Sequence, residues 1–409
     1  MNKAPATRTG PLAGYRILDL TAVVLGPVAT QILGDYGADI IKVEPLVGDQ
    51  MRANGVSKHR GMSSIFLAIN RNKRSIAIDL KTPEGIDIIH RMLASVDVVV
   101  HNMRIEAIER LGLGYAALSA IKPDLVYCVA TGFGESGPDA GKPAFDDVIQ
   151  AACGLASLIG NEREAPDYAP TLLADKTCGI VLSNAVMAAL LHRERTGEGQ
   201  FVEVPMLETM VAFTLTEHLG GLTFDPPPAP AGYARLLSGG RKPAPTRDGH
   251  VAMLPYSAAH WVAFFKHVGR DDLAQQYNLE DRHERNAKFK QMYADMVSVT
   301  RQMRTEELLA LCERLDIPAT RLYSIDELPQ HPHLKAVGLF QPIDHPSEGP
   351  ITAVRPATLF ERSPAELSLP APVLGQHTDE MMLQAGFDQA TIEHLASLGI
   401  IHRGKLTAS

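Results

Sequence analysis

The chain has 409 residues, of which 45% are hydrophobic and 21% charged, and this composition is typical of a globular protein with room for two domains. Its net charge of −8 argues against nucleic acid or an anionic membrane as a partner, although a local basic site remains possible. Residues 1–11 lack the apolar core of a signal peptide, and apolar runs such as 180–191 are too short to span a bilayer, so we expect a cytoplasmic protein with no membrane partner.

The first half of the chain alternates short apolar runs with helix-like segments. The predicted strands are 15–20, 39–44, 75–80, 96–101 and 124–130, and the predicted helices are 28–36, 83–94 and 115–121. The second helix follows Thr82 and opens with Pro83, which is a capping hydroxyl with proline at the first helical position. Continuous apolar strands alternating with helices predict an α/β fold with a parallel sheet covered on both faces.

The pattern changes after residue 222. A proline-rich linker is predicted at 225–232, a hairpin turn at 247–249 ahead of a strand at 250–254, and amphipathic helices up to about residue 315. A loop-rich stretch follows at 328–373, and helices are predicted at 378–385 and 388–398. We therefore expect a large α/β domain over 1–222, a small domain over 223–327, and a linker with a C-terminal part over 328–409.

The cysteine and histidine patterns give no support for a metal site. Cys128, Cys153, Cys178 and Cys312 are widely spaced with no C-x-x-C pair, and disulfides have equally little support. The His-x-His at 331–333 lies in a proline-rich stretch without acidic or thiol partners nearby, so we interpret it as a surface turn.

The segment 171–191 carries the most informative carboxylate of the chain. Asp175 stands at the apparent start of a helix whose following residues, 180–191, are too apolar to face water. A helix N-terminus favours the ionised carboxylate, and beside a pocket such a group can act as a nucleophile toward an acyl group. On this segment alone, the commoner role of an aspartate at this place is a helix N-cap.

Gly132, Gly134 and Gly137 form a G-x-G-x-x-G motif after a predicted strand, which raises the possibility of a dinucleotide site. Pro138 follows directly, where the fingerprint requires a helix that holds the pyrophosphate. We therefore predict a tight loop beside a pocket and no nicotinamide or flavin site.

Two polar clusters lie near predicted strands. Asn70, Lys73 and Arg74 belong to the densest basic cluster of the first half, which is either a solvated loop or a phosphate clamp. The run 101–104 leaves the end of a strand, where open α/β sheets bind ligands, and Arg110 lies about two helical turns further along.

Taken in order, these motifs resemble the class III CoA-transferases, a family that includes formyl-CoA transferase, carnitine CoA-transferase and the α-methylacyl-CoA racemases. The matching stretches span nearly the whole chain and are together very specific. They are Asp19-Leu-Thr21 with Gly26-Pro27, Gly37-Ala-Asp-Ile-Ile-Lys-Val-Glu44, Asn70-Arg-Asn-Lys-Arg-Ser-Ile-Ala-Ile-Asp-Leu-Lys81, Asn102-Met-Arg104 with Arg110-Leu-Gly-Leu-Gly114, Gly132-Phe-Gly-Glu-Ser-Gly-Pro138, Ala174-Asp175 with Gly179, Thr196-Gly-Glu-Gly-Gln200 and Leu374-Gly-Gln-His377.

The resemblance implies a large Rossmann-like domain formed by both chain ends, a small α+β domain, and two ring-like subunits interlocked as a homodimer. It implies coenzyme A as the substrate moiety, with an acyl-CoA and a carboxylic acid as substrates and no prosthetic group. Asp175 falls on the family's catalytic aspartate. Further positions fall on CoA-contacting ones or beside them: Asn70, Lys73, Arg74, Asn102, Met103, Arg104, Arg110 and, within one position, Lys142.

Departures from the family pattern bear on the substrate. Val24 and Pro45 stand where formyl-CoA transferase has a glutamine and an arginine, which disfavours formate and oxalate. Phe145 stands where the racemases carry a histidine of their proton-transfer pair, so the two-base mechanism lacks one partner.

The sequence therefore predicts transfer of CoA to a free acid through aspartyl anhydride and aspartyl-CoA thioester intermediates. A 2-methylacyl-CoA racemase and a non-catalytic acyl-CoA-binding protein are the alternatives. Gly239 and Gly240 resemble the family's glycine-rich lid, which would exclude water. Backbone N–H groups near Gly134 and Gly137 are candidates for stabilising the oxyanions.

Overall fold

The computed structural model describes residues 9–160, 165–279 and 281–404. The described residues fall into two compact units. One comprises Met1–Ala156, Tyr168–Phe213 and Lys335–Ser409, and the other comprises Ser157–Asp167 and Thr214–Leu334. The middle stretch of the second unit begins and ends within ten residues of the predicted domain boundaries at 223 and 327.

The first unit alternates strands and helices along most of its length. In chain order its elements up to the middle stretch are β1 Arg16–Leu20, α1 Leu25–Asp35, β2 Asp39–Glu44, α2 Ser64–Ile69, β3 Lys73–Ile78, α3 Pro83–Met92, β4 Val98–His101, α4 Ile105–Arg110, α5 Tyr115–Ile121, β5 Val126–Thr131, α6 Asp146–Ala152, α7 Leu155–Gly160 (which runs into the second unit), α8 Leu173–Thr196, β6 Gln200–Pro205 and α9 Met206–His218. The strands predicted from apolar runs are confirmed, with ends displaced by at most two residues.

Six of these strands form a parallel sheet in the order β3-β2-β1-β4-β5-β6. One buried apolar cluster packs on each face: Leu18, Ile41 and Val99 belong to one, and Ile17, Ile40 and Val98 to the other. Both clusters take residues from neighbouring positions of the same strands because successive side chains of a strand alternate between faces. This explains why the strands are apolar throughout.

The local signals that predicted the helix starts are present as hydrogen bonds. Thr82 caps α3 by accepting from the Gly85 N–H at 3.1 Å, with Pro83 at the first helical position. The predicted span of α3 was too long, since the α-helix ends at Met92 and a 3₁₀ turn completes the segment.

The second unit contains α10 Ala234–Leu237, β7 Ala244–Pro245, β8 His250–Met253, α11 Ala258–His267, α12 Asp271–Gln276, α13 Arg282–Ala287, α14 Phe289–Thr300, α15 Thr305–Arg314, β9 Ala319–Arg321 and, at its end, α16 Pro332–Ala336. The strands form an antiparallel sheet in the order β7-β8-β9, so the predicted hairpin ahead of residue 250 is confirmed. Trp261, Phe264 and Tyr293 lie in its buried core.

The C-terminal stretch contains more regular structure than the sequence indicated. Its elements are β10 Phe340–His345, β11 Gly349–Val354, α17 Thr378–Gln384, α18 Gln389–Ser397 and β12 Ile401–His402. Strands β10 and β11 form an antiparallel hairpin, so the prediction of loops over 328–373 was wrong there. Strand β12 pairs antiparallel with β3, which makes the large sheet mixed at one edge.

Candidate active site

A pocket of about 330 Å³ opens in the first unit at the carboxyl ends of the parallel strands. Strand β1 pairs with β2 on one side and β4 on the other, so the chain turns away in opposite directions after β1 and β4. Such a switch point leaves a crevice in open α/β sheets. The segments lining it follow β1 (Ala22, Val23, Val24, Leu25), β4 (Asn102, Met103, Arg104), β5 (Gly132, Phe133) and β6 (Met206).

Asp175 lines this pocket from the first turn of α8. The helix begins at Leu173, two residues earlier than predicted, and Leu172 at its N-cap position makes no side-chain capping bond. The N-cap interpretation of Asp175 is therefore wrong. Its side chain is only 8% exposed, and no residue in the described part of the chain donates a hydrogen bond to its carboxylate.

The pKa of Asp175 is raised to about 7, chiefly by burial and further by the negative charges of Asp146 and Asp147. We expected the helix N-terminus to stabilise the ionised form of Asp175. The hydrogen bonds of the first turn show why its pKa is raised instead. The backbone N–H of Asp175 donates to Asp146 Oδ1 at 2.9 Å and is not available to its own side chain. A buried carboxylate that accepts no hydrogen bond is a stronger base and a better nucleophile than a carboxylate exposed to water.

Helix α8 passes close to the first turn of α1 one turn beyond Asp175. A methyl group on Gly179 would lie 2.7 Å from the Leu25 carbonyl oxygen, so only glycine allows this backbone approach.

By length and composition α8 could cross a membrane, contrary to our expectation that the apolar runs are too short. It packs here against α1, α6, β5 and β6 as a core helix.

The pocket wall after β1 is strained and firmly held. Val23 has φ +69°, which is a rare conformation for a β-branched residue and costs on the order of 1–3 kcal/mol. Asn102 binds both backbone groups of Ala22, accepting at 2.9 Å and donating at 2.8 Å, and Lys42 donates to the Thr21 carbonyl at 2.9 Å. The amide of Asn102, predicted to contact CoA, is thus used to fix this wall.

Of the other predicted CoA contacts, Met103, Arg104 and Lys142 line the pocket. Arg104 is exposed and has no acceptor among the residues that the structure describes. Lys142 is also exposed and pairs with Asp139. Arg110 lies at the exposed end of α4, outside the pocket wall.

Asn70, Lys73 and Arg74 are buried and do not line the pocket. Lys73 Nζ donates to Asn70 Oδ1 at 2.9 Å and to the Pro27 carbonyl at 3.0 Å, and it pairs with Asp19 at 3.2 Å. Arg74 binds Asp39 and Glu380. The basic cluster is therefore neither a solvated loop nor an accessible phosphate clamp, because its polar groups satisfy one another.

Both predicted oxyanion donors have acceptors within the protein. The Gly134 N–H donates to Glu208 Oε1 at 3.0 Å, and the Gly137 N–H donates to the Gly134 carbonyl at 3.0 Å. A donor with an internal acceptor cannot be aimed at a substrate oxygen without breaking that bond, so the oxyanion role of these groups stays a prediction that this arrangement does not favour. The tight turn predicted over 132–137 is present, and no helix follows Gly137 directly.

Gly239 and Gly240 belong to the second unit, just after α10. Gly239 has φ +76°, and Gly240 packs beside Tyr293. Their role as a lid stays a prediction.

Of the three residues on which the substrate predictions depend, only two lie at the pocket. Val24 and Phe145 line the pocket whereas Pro45 does not. Phe145 is 63% exposed and offers no group for proton transfer.

Sequence reasoning missed Asp146, which follows Phe145 at the start of α6, because an aspartate at this place is typical of any helix start. Among the described residues, no cluster of three or more His, Cys, Asp or Glu side chains could hold a metal ion.

Comparison with known proteins agrees with the resemblance noted above. The model of CoA-transferase family III matches residues 12–378. A succinate–glutarate CoA-transferase of Agrobacterium fabrum is 32% identical over 404 residues, covering 95% of this chain and 98% of that protein. A succinyl-CoA:glutarate CoA-transferase of Mus musculus is 31% identical over 396 residues, covering 96% and 91%. The solved D175A mutant of Rv3272 from Mycobacterium tuberculosis is 27% identical with a TM-score of 0.81, covering 92% of this chain and 99% of that chain.

Proposed function

This chain belongs to CoA-transferase family III and is a CoA-transferase, and from that premise we propose that Asp175 is the residue that accepts the acyl group. The observation that carries the proposal is a buried carboxylate that lines the pocket at the sheet's switch point and accepts no hydrogen bond from the described residues. A carboxylate held by ion pairs would have to break them to attack a carbonyl carbon. Asp175 forms no ion pair within the part of the chain that the structure describes, so it has none to break.

The reaction exchanges acyl groups between carboxylates in four steps. Asp175 attacks the thioester carbonyl carbon, the C–S bond breaks, and CoA thiolate leaves behind a mixed anhydride. The thiolate attacks the Asp175 carbonyl carbon, expels the donor acid and forms an aspartyl-CoA thioester. The acceptor carboxylate then attacks the aspartyl-CoA thioester and displaces CoA thiolate, which gives a second anhydride. Finally the thiolate attacks the acceptor's acyl carbon in this anhydride, which releases the new acyl-CoA and restores the Asp175 carboxylate. No proton or redox partner is required.

We assign the pantetheine and phosphate portions of CoA to the pocket walls that follow β4 and β5. Exposed Arg104 and Lys142 line this part of the pocket and suit phosphate oxygens. Asn102 acts through the Ala22 backbone and Met103 provides an apolar contact. Asn70, Lys73 and Arg74 are left out of the direct contacts because their buried polar groups are already used.

For substrates we propose succinyl-CoA as donor and a short dicarboxylic acid such as glutarate as acceptor. The support is the naming of relatives that match nearly the whole chain together with a wall at Val24 that is apolar and suits a methylene chain. Water exclusion, for which Gly239 and Gly240 are the proposed lid, would protect the anhydrides from hydrolysis.

The covalent intermediate provides the test. Incubation with succinyl-CoA and no acceptor should add CoA to the peptide that contains Asp175, as read by intact-protein and peptide mass spectrometry, and added glutarate should remove it as glutaryl-CoA. Free CoA is the control and should add nothing, because thiolate alone cannot displace hydroxide from an unactivated carboxylate. An adduct on another residue, or transfer at full rate without any adduct, would contradict the proposal.

We also propose an interlocked homodimer. Large apolar side chains are exposed on α8 and α9, among them Ile180, Leu191 and Phe213, and such surface on one unit is typical of an interface. Interlocked rings cannot separate while folded, so light scattering and native mass spectrometry should show a dimer at every dilution until the chain unfolds. Folded monomers at low concentration would exclude interlocking.

A further inference from the structure

Asp146 lies at the first position of α6 and is 4% exposed. One carboxylate oxygen accepts the backbone N–H of Asp175 at 2.9 Å, and the other accepts the side-chain amide of Gln150. Gln150 is fully buried, and its own oxygen accepts the Ala169 N–H at 2.9 Å. Two residues of α6 therefore hold both the segment before α8 and the first turn of α8 itself.

The two buried aspartates differ in how their charges are compensated. Asp146 accepts two hydrogen bonds, whereas Asp175 accepts none from the described chain. When two carboxylates share a buried site, the poorly solvated one carries the higher pKa. The negative charge of Asp146 lies beside the buried Asp175 carboxylate and raises the pKa of that group.

We propose that Asp146 is a positioning residue for the transfer reaction: it holds the first turn of α8 through the Asp175 N–H, and its negative charge increases the reactivity of the Asp175 carboxylate as an acyl acceptor. This inference rests on the proposed nucleophilic role of Asp175. A more basic carboxylate is a better nucleophile toward a thioester, and it is expelled less readily when thiolate attacks the mixed anhydride. Attack by thiolate then favours release of the substrate acid over simple reversal.

Other charges around Asp175 must be considered for its ionisation. The titratable and charged groups on the surrounding elements are Asp146 and Asp147 on α6, Lys176 and Cys178 near the start of α8 and His192, Arg193, Glu194 and Arg195 at its far end, Tyr127 and Cys128 on β5, Glu203 on β6, Asp35 at the far end of α1, and Arg104, Glu135 and Lys142 in the pocket wall. Of these only Asp146 and Asp147 raise the pKa of Asp175, and Asp146 contributes more. Asp147 is exposed, which makes it a matched control for charge.

The experiment measures the rate at which succinyl-CoA forms the Asp175–CoA adduct as a function of pH in single turnovers. In the parent the rate should fall as pH drops below about 7, because the attacking carboxylate becomes protonated. In Asp146→Asn the acid limb should move down by on the order of one pH unit, while the rate at pH 8 falls roughly three- to tenfold. Asp147→Asn should move the limb less and keep the rate.

Asp146→Asn also disturbs the bond to Gln150, so a second variant isolates the structural effect. Gln150→Leu breaks the link but keeps the charge, and it should lower the rate with the acid limb unmoved. If Asp146→Asn does not fold, Asp146→Ser supplies an uncharged acceptor and should show the same shift. An acid limb that stays in place when the charge at position 146 is removed would overturn the inference. Absence of any adduct in the parent would instead refute the proposed function.

Discussion

The Asp175→Asn variant should lose CoA transfer and, above pH 7, unfold at a higher temperature than the parent. The amide has no anionic oxygen to attack a thioester, so we expect kcat to fall by at least about 10³-fold. Initial rates with succinyl-CoA and glutarate measure this loss. Asp147→Asn is the control: it removes an exposed charge on α6, the helix that contacts the start of α8, and it should keep transfer.

The gain in stability follows from the direction of the pKa shift. The pKa of Asp175 is raised from 3.8 to about 7 in the folded protein. At pH values between these two, the Asp175 carboxyl group is therefore ionised in the unfolded chain but still largely protonated in the folded protein. The parent's free energy of unfolding therefore falls relative to a neutral variant as pH rises from about 4 to about 7, and the difference is constant above that. A shift of this size corresponds to at most roughly 4 kcal/mol.

Thermal unfolding at pH 5 and pH 8 measures the effect. The advantage of Asp175→Asn over the parent should be larger at pH 8 than at pH 5, and Asp147→Asn should show little of it. Equal advantages at the two pH values would mean that ionisation of Asp175 in the folded protein is not disfavoured. Such a pattern, with activity lost, would leave the nucleophile in place but remove the physical reason for its reactivity.

Much of the large sheet could be predicted because its signal is local. Continuous apolar runs such as 96–101 mark buried parallel strands, and Thr82 with Pro83 marks a helix start. Strand β6 and helix α4 were missed because the charged Glu203 interrupts the apolar residues of β6 and because α4 has only six residues. The hairpin of β10 and β11 was missed because prolines at 342 and 350 suggest loops, although edge strands tolerate proline.

The candidate site was predictable in part for a different reason. Strand ends at a switch point placed Asn102 and Arg104 correctly at a pocket, and the family resemblance added Asp175. What sequence could not give is the partner of each polar group. Lys73 reads as a surface cation until the fold brings Asp19 to it, and Gly134 reads as a free donor until Glu208 accepts its N–H. These pairings join residues more than fifty positions apart.

The second large effect is expected at Lys73, where burial and binding give opposite outcomes. Lys73 Nζ is fully buried between Asp19, Asn70 and the Pro27 carbonyl. Asp19 is equally buried and also accepts from Thr21 and Thr30. In Lys73→Met the Asp19 carboxylate loses its direct cation, and removing one partner of a buried pair costs about 3–5 kcal/mol. Urea denaturation at pH 7 should show this loss.

Two further variants separate the structural role from a role in binding CoA. Lys142→Met removes an exposed cation that lines the pocket, so it should change stability by less than about 1 kcal/mol while raising KM for the acyl-CoA. Adding Asp19→Asn to Lys73→Met should recover part of the lost stability, because the amide keeps its contacts with the threonines and no longer needs a cation. If Lys73→Met raised KM without changing the free energy of unfolding, Lys73 would be a ligand-binding cation after all, and the buried network beneath the pocket wall would lose its structural interpretation.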